Sequence, residues 1–114
     1  MVIATLILLG VSVGLGIWLG MASAPYNTGL FTIHKLASVA FAVLLVIQFV
    51  GEVRKTGFAG GDVLFATVCG AALIALIATG AIASIKAQSP MLLRVVHAAA
   101  GALLSASAII RLLR

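Results

Sequence analysis

The chain has 114 residues, 64% of them hydrophobic and 8% charged, with a net charge of +5. A soluble domain carries about 45–50% apolar and about 25% charged residues, so this composition excludes a water-soluble globule and a disordered chain. The seven Lys and Arg are scattered along the chain rather than gathered into a stripe, which excludes nucleic acid as a partner, and the single cysteine, Cys69, excludes a disulfide framework or a thiolate metal cluster.

What remains is an integral membrane protein whose first partner is the lipid bilayer. A spanning helix needs about 20 mostly apolar residues, and four stretches qualify: 2–20, 30–51, 63–85 and 91–113. The first span carries Gly10, Gly14, Gly16 and Gly20, and twice matches the close-packing pattern of two glycines four apart. Such spacing serves helix packing, a homodimer, or room for a flat cofactor. Trp18 and Tyr26 sit where this span leaves the membrane, as interface anchors do. Ala22-Ser23-Ala24 resembles a signal-peptide cleavage site, but no Lys or Arg precedes the apolar run, so the span is expected to be retained. A turn follows over Ala24 to Gly29.

The second span opens with His34 and Lys35. After it, Glu52 to Asp62 holds two charges of each sign and three glycines, and is expected to be a loop. The third span is rich in alanine. Lys86 to Pro90 is a short turn ending in a helix-starting proline. The fourth span contains His97-Ala98-Ala99-Ala100-Gly101. No repeat of fixed period is visible.

The expected fold is all-α: one membrane domain, a transmembrane four-helix bundle running up-down-up-down. One side would hold Arg54, Lys55, Arg111 and Arg114, and the other Lys35, Lys86 and Arg94. Four against three places both termini in the cytoplasm.

The two histidines are the chemistry-bearing residues of the spans. An ionisable residue within a membrane is costly and marks a functional candidate. His34 is five residues past Gly29, and His97 is seven past Pro90, on spans that run in the same direction. At about 1.5 Å per residue the two differ in depth by roughly 3 Å. Haem iron takes two axial imidazoles on opposite faces of a flat ring. A porphyrin also needs small residues, and Gly14, Gly16 and Gly20, Ala37 and Ser38, Gly80, and Gly101 thin the four spans at this layer. Lys35 and Arg94 are cations suited to haem propionates. The alternative is a pair of unrelated interfacial histidines. Zinc would need more ligands than this layer supplies. Cys69 lies near the opposite end of its span and is read as a small packing residue.

His34-Lys35-Leu36-Ala37-Ser38, Thr79-Gly80-Ala81-Ile82-Ala83-Ser84 and the position of His97 resemble segments of the bacterial cytochrome b-561 family. The resemblance covers spans two to four. It implies one haem b per chain, bound by His34 and His97 near the periplasmic face of a bacterial inner membrane. The family's second haem, held by histidines of the first and fourth helices, has no ligands here, so the resemblance is to a minimal one-haem version. Quinol or superoxide chemistry is left open.

The leading expectation is therefore a b-type cytochrome that passes single electrons between a quinone or other redox partner and an acceptor, rather than an enzyme that turns over a substrate. The alternatives are a small transporter of the multidrug-resistance size class and a structural or anchor subunit of a membrane complex. The transporter family carries a membrane-embedded Glu in its first helix. Here the only acids, Glu52 and Asp62, fall between spans. Gln48, Thr67, Ser105 and Ser107 are expected to bond between helices or to their own backbone.

Overall fold

A computed structural model of the protein describes residues 2–21, 28–85 and 91–113. The fold is all-α: α1 (Val2–Met21), α2 (Thr28–Thr56), α3 (Gly60–Ile85) and α4 (Met91–Leu112), with no strand among the described residues. All four helices are long and apolar enough to cross a membrane. The composition leaves little else, because in lipid a chain must satisfy its backbone hydrogen bonds within itself. Residues 22–27 and 86–90, with Tyr26, Lys86 and the Ala22-Ser23-Ala24 segment, lie outside the described residues; of the turn expected over Ala24 to Gly29, Thr28 and Gly29 already belong to α2. Trp18 is exposed on α1, as a lipid-facing anchor must be.

The expected loop from Glu52 to Asp62 is a correction. α2 continues through Thr56 and α3 begins at Gly60, so only residues 57–59 separate them. Arg54 and Lys55 occupy the last turn of α2, where their charge complements the negative end of the helix dipole. The helix stops at Gly57, whose φ of 82° belongs to the left-handed region that suits glycine, and whose N–H donates to the Val53 carbonyl at 2.8 Å. Asp62 then starts α3. Its carboxylate accepts from the Ala59 N–H at 2.9 Å while its own N–H donates to the Ala59 carbonyl at 3.0 Å. The carboxylate supplies one half of a capping box, and the backbone bond closes the first turn. Asp62 thus caps a helix start, while Glu52 lies within the last turns of α2.

The chain divides into two compact units, Met1–Asp62 and Val63–Arg114. In the first, α1 and α2 form an antiparallel hairpin. Ser12 bonds to Ser38, and farther along Gln48 Nε2 donates to Thr5 Oγ1. The latter bond satisfies a polar group that lipid would leave stranded. Leu9, Leu19, Ala37, Phe41 and Leu45 form the buried apolar seam around these bonds.

In the second unit α3 and α4 are also antiparallel. Thr79 bonds to His97, Leu76 faces Gly101, and Phe65 lies against Arg111. The buried seam is made of Cys69, Ala72, Leu104 and Ala108 with Thr79 among them. Small residues at such a seam let backbones approach closely. The Arg111 guanidinium lies 4.8 Å from the Phe65 ring centre, so the aromatic face takes up a cation near the end of the span. Ser105 donates to the Gly101 carbonyl at 2.7 Å, one turn back on its own helix. Outward faces in both units are aliphatic, with Ile3, Ile74 and Ile77 each at least 70% exposed. Surfaces of that kind call for lipid rather than water.

Candidate functional site

Each hairpin places its histidine near the start of its second helix, against a glycine near the end of its first. A side chain at Gly16 would put its Cβ 3.1 Å from His34 Cε1, and one at Gly80 would come to 3.7 Å from His97 Cε1. The imidazole edge therefore fills the space that glycine leaves. Two of the expected site residues pair in each unit: His34 with Gly16, and His97 with Gly80.

His34 sits in a closed ring of hydrogen bonds. Its Nδ1 lies 2.9 Å from the Ser12 carbonyl oxygen, which can only accept, so Nδ1 carries the proton. Ser38 Oγ donates to the His34 carbonyl at 2.7 Å. Having spent its proton there, Ser38 Oγ accepts from Ser12 Oγ at 2.5 Å. Ser12 donates to Ser38, Ser38 to His34, and His34 back to Ser12. Only the two bonds that share Ser38 Oγ follow one another atom to atom and polarise each other.

His97 is held by an open chain. Thr79 Oγ1 donates to the Ala75 carbonyl at 2.7 Å, and lies 2.7 Å from His97 Nδ1. A hydroxyl has one proton, so with that proton on Ala75 the His97 Nδ1 is the donor. Both imidazoles thus commit Nδ1–H inside their own hairpin. A neutral ring so held carries its lone pair on Nε2, the form in which histidine binds metals with its other nitrogen anchored. Neither Ser12 nor this role of Thr79 is apparent from the spacing of residues along the chain.

The two hairpins repeat one another. His34 and His97 are 63 residues apart, as are the buried pairs Phe41 with Leu104 and Leu45 with Ala108. On the first helices the offset is 64, relating Gly16 to Gly80 and buried Thr5 to buried Cys69. The correspondence is partial: buried Leu9, Ser12, Leu19 and Ala37 have half-buried counterparts in Leu73, Leu76, Ala83 and Ala100. Few identical residues carry it, which is why the sequence shows no period.

The remaining expected site residues have local places. Ser38 belongs to the His34 ring of bonds. Gly101 faces the Leu76 side chain, where a Cβ would make an ordinary contact at 3.8 Å. Lys35 is exposed, with its ammonium 4.6 Å from the Phe31 ring centre, and Arg94 is exposed on α4. Cys69 is buried, in keeping with a packing role. Among the described residues no group of three or more His, Cys, Asp or Glu is placed to hold a metal ion. Comparison with protein-family models, curated proteins and solved structures yields no match.

The two glycines should respond oppositely to alanine. Gly80→Ala meets only ordinary contact and should gain up to about 1 kcal/mol from helix propensity. Gly16→Ala presses on an imidazole tied through Nδ1 to the Ser12 carbonyl. It should cost about 1–3 kcal/mol, the usual penalty of overpacking. Reversible unfolding in detergent measures both, and equal changes would show that His34 is not clamped.

Proposed function

We propose that the protein is a one-haem b-type membrane cytochrome in which His34 and His97 would be the residues that hold the haem iron. The observation that carries this is the repeated hairpin. Two structurally equivalent positions each present a partly buried imidazole, opposite a glycine, with Nδ1–H committed to a partner in the same hairpin. A lone structural histidine needs no counterpart in the other hairpin, whereas a flat, two-faced ligand does. Two imidazoles suffice for haem iron, so the lack of a larger ligand cluster does not weigh against it.

When bound, haem supplies a reversible one-electron couple. The chain's own part is to fix the tautomer and orientation of each ring and to keep water away with its aliphatic faces. Lys35 and Arg94, exposed beside the two histidines, are the cations offered to the propionates. The electron would pass near the non-cytoplasmic face, with a quinone or another redox carrier as partner, in a bacterial inner membrane with both termini cytoplasmic. A transporter gains no support, since Glu52 and Asp62 stand at helix ends.

Expression with haem supplied, purification and a pyridine-haemochrome assay test the proposal. The expected result is a red protein with one haem b per chain. Colourless protein overturns it in favour of the transporter or anchor role, and two haems per chain would refute a single bis-histidine site.

A further inference from the structure

The repeat is not perfect, and one departure falls beside the histidines. Position 79 is threonine, while the equivalent position in the first hairpin is Leu15. Lacking a hydroxyl there, the first hairpin anchors its imidazole on the Ser12 backbone carbonyl instead, and Gly16 leaves the ring room to reach it. The two anchors differ in kind. A carbonyl oxygen only accepts, whereas a hydroxyl accepts or donates.

We infer that His34 is the fixed ligand and His97 the yielding one, and that Thr79 makes the difference as a positioning residue. This rests on the cytochrome reading for the word ligand, but not for the tautomers. His34 has one usable neutral form. Moving its proton to Nε2 would set a bare Nδ1 against the Ser12 carbonyl oxygen 2.9 Å away, two acceptors with no proton between them.

His97 has two. Thr79 Oγ1 can rotate and donate to a bare Nδ1, leaving Nε2 protonated. One proton leaves Nδ1 and one arrives at Nε2, so the ring's charge is unchanged. The Ala75 carbonyl then loses the Thr79 hydroxyl but keeps the helix N–H four residues on, so no buried acceptor is stranded. A protonated Nε2 cannot bind iron. His97 can therefore leave the metal while staying hydrogen-bonded in its hairpin. The looser contact at Gly80, 3.7 Å against 3.1 Å at Gly16, points the same way.

Two measurements test this on the full chain. In haem-free protein in lipid with 15N-labelled histidine, His34 should give a single tautomer protonated at Nδ1. His97 should show a second tautomer at a few per cent to a tenth of the population. Thr79→Val should change the His97 ratio several-fold and leave His34 untouched, and Thr79→Ser should restore it. A single, identical tautomer for both rings, or a His97 ratio indifferent to Thr79→Val, overturns the inference.

In haem-loaded, reduced protein, carbon monoxide should displace His97 and leave His34 bound, as read from the same labels. Displacement of His34 overturns it. Failure to take up haem would overturn the cytochrome reading alone, since the tautomer result is obtained without haem.

Discussion

His34→Ala and His97→Ala should each abolish the low-spin spectrum of the haem-loaded protein. Each hairpin offers a single imidazole, and among the described residues no third His, Cys, Asp or Glu gathers with them to take over a lost bond. Losing one axial nitrogen leaves a five-coordinate, high-spin centre or no bound haem. Binding that favours only the folded state stabilises it by mass action, about 2.7 kcal/mol when ligand is at a hundred times its Kd. Thermal stability with haem present should therefore fall in both variants. Optical spectra and melting curves of the two proteins check this. A wild-type spectrum from either variant would remove that residue from the ligand pair, and from both would remove the site.

Phe41→Ala should be the most damaging substitution away from the histidines. Phe41 is 3% exposed and stands mid-seam in the first hairpin, with Ala37 and Leu45 one turn to either side. Truncating a buried Phe costs about 3–5 kcal/mol, because the cavity left behind collapses only in part. In lipid the loss is one of packing contacts, which hold helices together where a water-driven effect is absent. Leu104→Ala, at the equivalent place in the second hairpin, should cost about 2–5 kcal/mol. Ile77→Ala, on a face 70% exposed, is the control and should stay within about 0.5 kcal/mol. Unfolding in detergent separates the three. A loss at Ile77 as large as at Phe41 would mean the seam has been misplaced.

The four helices were legible because hydropathy reports where lipid begins and ends. It does not report where a helix ends, and so the stretch from Glu52 was misread. Those residues leave the apolar layer but keep helical hydrogen bonds until Gly57 breaks them. His34 and His97 stood out because charge-bearing groups are rare in such spans. Gly16 and Gly80 could be picked as small residues, but not matched to their histidines, since that match depends on the rotation of one helix against another. Ser12 went unnoticed for a further reason: its backbone oxygen, which every residue possesses, is what holds the imidazole. The repeat was hidden because burial can recur at a fixed offset while Phe41 and Leu104, or Leu45 and Ala108, share only their apolar character.

The ring of bonds around His34 also bears on the order of events at the ribosome. It joins residues only 22 and 26 apart along the chain, and the Thr79–His97 bond spans 18. Each imidazole is therefore oriented by its own half of the protein. At about 5–20 residues per second, the first half would wait roughly 3–10 s for the second to be made. The bonds that turn the His34 nitrogen lie wholly within the part made first. On the proposed reading, a haem would meet His34 in the half made first, and His97 would complete the pair once translation has finished.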